Sequence, residues 1–597
     1  MRRCWPRASC RPAIDTKAAS AVAGAVLLKN GTLMNTTTAS PDDGIIDVVI
    51  VGAGPIGLAT ACALAHHGVS FRILERAHGI SGESKGHNVI ARAQELLHAI
   101  GVRDVLAEKG YLAPFTQFLL DQAPLARLDT SGSPSPFGPV LFSNQGVMEQ
   151  VLTEVLTERG IQVEYGQEVL DIREDGDDVS MVVASVDDDG NRTGREESVT
   201  CRYLVGADGA AGTVRKAVDL DYELQEFEGR ALRQIDGKLS WRRPTKPDTA
   251  WFFLFPHGFS GILPVWEGNH RIFLLESSDA MPQRDPTREE MVARAREVTG
   301  DDTLEIKDPT WFSYGEFSHG VSPGYAKERV FLVGDAGHRT LPIGGQGMNA
   351  GFLDASGIAW RLAMTIAGVA GPAVLASYGK ERHGAHAALG KQQVRGFEQL
   401  MRRNALADDV IGKVAGVVPG IGSYVFGGSD LGEIEVAYPD SALSEDLFSS
   451  LNLKRRSAAR AGERAPDARI VTATGDTATL FDVIYNPNGH SWGWRLLLLD
   501  GGDRGSQAAL TGAADLIADV AWVHPLLVIA DLTTALSSSG IDAIHDLDGT
   551  VHDAFGMATK ATIVLIRPDG HIAFRAPGDA GQALKDYVHR VAASSPN

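Results

Sequence analysis

The chain has 597 residues, is 44% apolar and carries a net charge of −19. That size and apolar content allow several buried cores, while the acidic balance argues against nucleic acid or an anionic membrane surface as a partner. The four cysteines (Cys4, Cys10, Cys62, Cys201) form no CxxC and no regular framework, so neither a zinc site nor a disulfide scaffold is indicated; no stretch approaches the ~18–20 apolar residues of a membrane span, and a cytoplasmic protein without an integral membrane span is expected.

Residues 1–43 open with Arg2, Arg3, Arg7 and Arg11 and continue through small residues to Lys29. Their composition fits a disordered or misassigned extension better than a targeting segment, with Met34 as an alternative start. The pattern from 44 to 220 is that of a dinucleotide-binding Rossmann domain. Ile45 to Val51 reads as a buried strand, followed at once by Gly52-Ala53-Gly54-Pro55-Ile56-Gly57 and a helix to Ala65. In such a turn Gly52 permits the bend, Gly54 lets a pyrophosphate approach the backbone, and Gly57 allows helix and strand to pack closely. A second strand ends at Glu75, with Arg76 beside it; a carboxylate there suits the two hydroxyls of an adenosine ribose, so the nucleotide is FAD or NAD rather than NADP. Gln94 to Ile100 and Val147 to Arg159 read as helices. The acidic clusters at 174–178 and 187–191 read as solvated hairpin turns. Arg202 to Val218 contains a further strand tip, Asp208-Gly209, and then a short helix bearing Arg215.

Residues 221–320 carry aromatic and apolar strand patterns with Gly/Pro turns, as expected of an inserted, mostly antiparallel sheet that floors a substrate pocket. His257, Tyr314 and His319 are the available bases in it, each more simply read as structural, so no catalytic side chain is assigned. The stretch 321–445 returns to the first domain. Val330 to Val333 forms a strand that ends at Gly334-Asp335, and Pro342 and Gly344-Gly345-Gln346-Gly347 lead into a helix from Met348 towards Ala363. A glycine-rich loop opening a helix offers backbone N–H groups to an electron-rich ligand. Residues 446–467, with Lys454-Arg455-Arg456, read as a solvated linker, and 468–597 as a separate α/β module. No cysteine follows Cys201, so that module has no thiol redox chemistry. No metal-ligand cluster or pair of catalytic carboxylates stands out anywhere.

The three glycine motifs, Gly52 to Gly57, Asp208-Gly209, and Gly334 to His338 with Pro342 to Asn349, occur in an order that resembles the class A FAD-dependent aromatic hydroxylases. The resemblance is to p-hydroxybenzoate hydroxylase and, more closely, to the phenol and polyketide hydroxylases; the run Leu565 to Arg575 resembles the thioredoxin-like C-terminal domain of the phenol hydroxylases. It implies an α/β fold: a Rossmann-type FAD domain, an inserted antiparallel substrate sheet and a thioredoxin-like terminal domain that packs or dimerises. It also implies a monooxygenase that uses FAD, NADPH or NADH, and O2 to hydroxylate a small aromatic substrate through a C4a-hydroperoxyflavin.

By that resemblance Glu75 binds the AMP ribose, Gln145 lies against FAD, and Asp208 and Arg215 belong to a motif shared by FAD and NAD(P)H binding. Asp335 would bind the ribityl chain, and Pro342, Gly345, Gln346, Gly347, Met348 and Asn349 the isoalloxazine ring. Lys85 stands where relatives commonly carry a flavin-binding Arg, keeping the charge without the planar fork. Epoxidation, Baeyer–Villiger oxidation and a non-catalytic flavin-binding role remain open alternatives. A halogenase is disfavoured, because the one Trp-x-Trp, Trp492-Gly493-Trp494, lies in the terminal module and lacks the following Ile-Pro.

Overall fold

The computed structural model describes residues 45–593 apart from 83, 257, 342, 402–432, 449–457, 486–492, 503–505, 531–540, 547 and 556–559. The expectations for residues 1–43, His257, Pro342 and Trp492 lie outside the described residues. Among those described, no helix is long and apolar enough to cross a membrane.

The molecule is a mixed α/β protein built on three eight-stranded sheets and one of three strands. In the first, Ile46–Val51 is an apolar run of the kind a strand covered on both faces requires. It pairs in parallel with Arg192–Gly206 on one side and Phe71–Glu75 on the other, and Val330–Leu332 lies parallel beyond Gly206. Val51 is opposite both Gly206 and Leu74, and Gly206 is opposite Leu332. Gly52, Glu75, Ala207 and Val333 therefore leave the sheet along one edge. Four strand tips scattered over some 280 residues of sequence meet there because the register puts them there. Helices Pro55–His66, Gln145–Glu158 and Gln346–Ile366 cover one face around Ile50, Leu58, Leu152 and Phe352. The hairpin Gln167–Asp175/Asp178–Val186 contributes to a core on the other, around Val49, Val183 and Leu204.

The second sheet is antiparallel through its long strands Glu305–Val321, Gln225–Ser240, Asn269–Ser277, Gly258–Pro264 and Thr249–Phe255. It also takes Phe115–Leu120 and Ala123–Asp129 from upstream of the 221–320 stretch. The helix Arg288–Thr299 starts at a reciprocal cap between Thr287 and Glu290 and packs Met291 and Ala295 against Ile235 and Ile272. A second apolar cluster is phenylalanine-rich: Phe118, Phe252, Phe259 and Phe273 meet Phe397 of the helix Pro372–Met401 there.

The third sheet includes, in chain order, Trp494–Leu499, a helix, Val523–Ile529, Asp542–His545, a short helix, Thr562–Ile566, Ile572–Pro577 and the helix Gly581–Val591. The first three of these strands are parallel and the last two antiparallel. It is joined to the first domain by two cores. Trp360 and Met364 pack against Trp494, Leu496 and Phe574 in one, and Leu96 and Leu353 join Leu497 and Val564 in the other. Of the stretch 446–467 read as a solvated linker, Lys454-Arg455-Arg456 lie outside the described residues, and the part from Ala461 to Ala465 is corrected here. Ala461, Arg464 and Ala465 are buried, because Gly462 N and Ala465 N bond to the carbonyls of Ile572 and Gly570 and Arg464 pairs with the buried Glu95.

Candidate cofactor and active site

The aligned strand tips open into a cleft, and each motif contributes one wall. Gly52 has φ +102°, and a Cβ on it would lie 2.5 Å from the Ala207 carbonyl oxygen. A Cβ on Gly57 would lie 1.9 Å from the Gly52 oxygen, so the close packing of turn, strand and helix excludes any side chain at either position. Gly54, by contrast, faces open space. It caps a helix with no side-chain cap and no acid in its first turn, which leaves backbone N–H groups turned to that space. Glu75 is drawn over the turn: its carboxylate accepts from Ala53 N at 2.7 Å and Ala77 N at 2.8 Å. Arg76 is exposed and reaches the Gly190 carbonyl at 3.5 Å, with Glu168 3.6 Å away.

The third motif forms the opposite wall, and Ile56 joins it to the first. A Cβ on Gly334 (φ +57°) or on Gly351 would meet the Ile56 side chain at 3.0 or 2.7 Å. Asp335 projects into the cleft. Its side chain is exposed, yet the surrounding protein desolvates it enough to push the carboxyl up, with His338, Arg339 and Lys85 acting in the opposite sense. Lys85 is an exposed cation, and its neighbour Gly86 packs against the Met348 side chain of the same wall. Gly344 and Gly345 take φ +76° and +65°, and a Cβ on Gly345 would strike the Asn88 side chain at 2.3 Å. Helix Gln346–Ile366 then begins without a side-chain cap, a second set of N–H groups with no intrahelical partner.

Several of the expected site residues are engaged by the protein itself. Asn349 accepts from Ile90 N at 3.0 Å and donates to the carbonyls of Asn88 and Gly345. Gln145 accepts from Gly86 N at 3.2 Å and donates to the buried Glu149. Gln346 accepts from Gln393 at 3.2 Å. Met348 lies where a Cβ on Gly86 would be 2.6 Å from its sulfur, and a Cβ on Gly347 would be 2.4 Å from the Thr340 hydroxyl. Asp208 accepts from Thr213 N and Val214 N through one oxygen, while its other oxygen is buried without a partner. Arg215 bonds to Asp221 and to the carbonyl of Ala336, next to Asp335. The second motif therefore braces the third.

The support beneath Asp335 is not visible in the sequence. Asp354, fully buried, accepts from Gly334 N at 3.0 Å and from Arg382 Nε at 2.6 Å, and touches His338 (3.2 Å) and His386 (3.0 Å). Burial favours its neutral form, but His386, Arg382 and the histidine hydrogen bonds hold it well below the usual carboxylate range. Burial drives His386 down to about 3, so Arg382 is the balancing cation. His338, Asp354 and His386 converge closely enough to suggest a metal site. The Arg382 guanidinium, 3.1 Å from His386 Nε2 and 2.6 Å from Asp354, already fills the cationic position, so the cluster is an ion network.

The cleft adjoins the phenylalanine face of the second sheet through Leu341, which packs with Phe317 and Phe397. Phe252 stacks 5.4 Å from both Phe118 and Phe259, and Phe252 and Phe273 are only partly buried. Of the bases considered, Tyr314 donates to Glu316 at 2.8 Å, and the half-buried His319 abuts Gly390. The cleft thus offers two uncapped helix starts, a desolvated carboxylate and an aromatic wall. That set fits a dinucleotide carrying a flat, electron-rich ring.

Comparison with known proteins agrees. A family model described as FAD binding domain matches residues 45–393, and one described as aromatic-ring hydroxylase, C-terminal, matches 458–595. Pentachlorophenol 4-monooxygenase of Sphingobium chlorophenolicum is 27% identical over 549 residues, 91% of this chain and 96% of that protein. The anhydrotetracycline hydroxylase OxyS of Streptomyces rimosus superposes with a TM-score of 0.67 at 27% identity, covering 92% of this chain and 99% of that one. The flavin-dependent monooxygenase PieE, solved with FAD and substrate, has a TM-score of 0.73 at 24% identity over 91% of this chain and 98% of its own, a likeness of fold.

Proposed function

This chain belongs to the FAD-dependent aromatic-ring hydroxylases, and from that premise we propose that it hydroxylates a phenolic or polyketide-type aromatic substrate with electrons from NADPH or NADH. The observation that carries this reading is the common edge at which Gly52, Glu75, Ala207 and Val333 leave one parallel sheet, beside a wall of phenylalanines. Pentachlorophenol and anhydrotetracycline in the relatives' names support the substrate class, as does that wall, which stacks flat rings and excludes water. No second GxGxxG occurs after Gly57, which favours transient binding of the nicotinamide nucleotide.

Bound FAD supplies the electron transfer and oxygen activation. The chain's own part is to bind, orient and stabilise. The N–H groups after Gly54 take the pyrophosphate. Glu75, fixed by Ala53 N and Ala77 N, keeps lone pairs for the adenosine ribose hydroxyls. Asp335 would accept from the ribityl hydroxyls, with Lys85 and Gln145 also holding the cofactor. The uncapped N–H groups from Gln346 onward and Gly345, with Met348, would stabilise negative charge on the reduced ring. Asn349 contributes by holding the loop. The βαβ and ββα units of the third sheet support reading it as thioredoxin-like.

Asp335→Ala tests the site. The variant is expected to fold and to retain FAD at least ten-fold more weakly than the parent, measured as flavin absorbance per protein after dialysis. Full yellow occupancy in the variant would remove Asp335 from the site.

A further inference from the structure

The segment that carries Lys85 has little structure of its own. Asn88–Val89 is a two-residue strand held to Val140–Phe142, and Ser84 to His87 form no regular element. Gly86 N bonds to Gln145 and the His87 carbonyl accepts from Ser143 N, and a further grip, on Ser84, Lys85 and His87, comes from the second sheet. Asp236 is the cross-strand partner of Arg271 on one side and of Trp311 on the other, so the three side chains stand in one row on one face.

Arg271 is fully buried and Asp236 nearly so. They pair through two parallel bonds of 2.8 Å, Nε to Oδ1 and Nη2 to Oδ2, with the guanidinium 4.6 Å from the centre of the Trp311 ring. An ion pair serving only its own sheet would stop there. Instead the remaining donors cross to the segment. Nη2 donates to the Ser84 hydroxyl at 2.8 Å and also to the Ser84 carbonyl. Nη1 donates to the Lys85 carbonyl at 3.1 Å and lies 3.0 Å from His87 Nδ1. Burial, reinforced by the Arg271 charge, drives His87 down to about 3, so the ring is neutral and its Nε2–H tautomer accepts from Nη1 through Nδ1. A lysine in place of Arg271 would keep the charge but not a fork able to hold Asp236, Ser84, Lys85 and His87 together.

We propose that Asp236 and Arg271 are positioning residues that seat the Lys85 segment against the Met348 loop, making the cation in the cofactor cleft depend on the sheet that forms the substrate wall. The inference rests on the reading of the cleft as the FAD site, and the test separates the two.

The variants are Arg271→Lys and the exchanged pair Asp236→Arg/Arg271→Asp, made in the full chain. The exchanged pair keeps the ion pair within the sheet but moves the guanidinium away from the segment. Amide hydrogen exchange of residues 84–90 and tryptic cleavage after Lys85, both on protein stripped of FAD, report the seating without the cofactor. Each is expected to rise at least ten-fold in both variants, with exchange in the Rossmann strands Ile46–Val51 and Arg192–Gly206 unchanged. FAD affinity is expected to fall about ten-fold alongside. Parental exchange at 84–90 in either folded variant overturns the proposal, as does full rescue of that exchange by the exchanged pair, which a purely structural ion pair would give. If Arg271→Lys does not fold, the exchanged pair decides. A parent that takes up no FAD would sink the functional reading, while the exchange results still decide the seating.

Discussion

Asp354→Ala is expected to cost about 3–5 kcal/mol of stability, the loss typical of removing one partner from a buried ion pair, and to release FAD as well. Arg382 would remain buried with the Tyr438 hydroxyl as its side-chain partner at 2.6 Å, while Gly334 N would lose its acceptor. Both consequences follow from one carboxylate because it faces the cation on one side and the strand tip before Asp335 on the other. Asp354→Asn keeps an acceptor for one of those donors and removes the charge, so it should fall between parent and alanine variant. Chemical denaturation of the three proteins measures the first effect, and flavin retained after gel filtration the second. An alanine variant within about 1 kcal/mol of the parent would show that Arg382 finds its charge balance elsewhere.

Glu95→Ala should have an effect of similar size at a different place. Glu95 is wholly buried and accepts from Arg92 at 2.8 Å and from Arg464 through both oxygens, the shortest contact being 2.6 Å. Burial alone would raise its carboxyl, but Arg464 and Arg92 outweigh that and hold it below the ordinary value. Arg92 also donates to the Tyr485 hydroxyl and the Asp569 carbonyl, so the network ties the start of helix Ala91–Ala99 to the terminal sheet. Without Glu95, two buried guanidinium groups lose their counter-charge. The expected cost is about 3–5 kcal/mol, and calorimetry should show the terminal sheet separating as an earlier transition. A single transition at the parental temperature would mean that the contacts without Glu95, among them the Arg567–Glu381 pair and the packing of Trp360 and Leu353, suffice to join the two parts.

The local parts of this structure are the parts the sequence displays. The apolar run Ile46–Val51 with Gly52, Gly54 and Gly57 behind it is a self-contained signal: Gly52 and Gly57 are demanded by the adjacent strand end and by backbone a few residues away, and Gly54 leaves the space before the helix open. Gly334-Asp335 and the loop into helix Gln346–Ile366 are legible as a glycine-rich strand-to-helix turn, although what presses on Gly334 and Gly345 is Ile56 and Asn88, far off in sequence. Long-range pairing is what the chain conceals. The partner that buries Arg464 lies 369 residues upstream, so the surrounding charges look solvated when read in place. Asn349 bonds to Ile90 across 259 residues, and nothing near either one announces it. Asp354 reads as an ordinary helical acid until Arg382, His338 and His386 close around it. Asp236 and Arg271 meet because two strands share a register, which alternation along either strand does not reveal.

The account rests on one claim, that this cleft holds FAD and uses it to oxygenate an aromatic ring. The direct measurement is oxidation of NADPH and NADH by the purified protein against a panel of phenols and polycyclic polyketides under labelled dioxygen, with products read by mass spectrometry. The account predicts a yellow protein with one FAD per chain, nucleotide oxidation accelerated by at least one member of the panel, and a product carrying one labelled oxygen atom. A protein that binds FAD yet oxidises the nucleotide at the same rate with every compound, and incorporates no label, would contradict it.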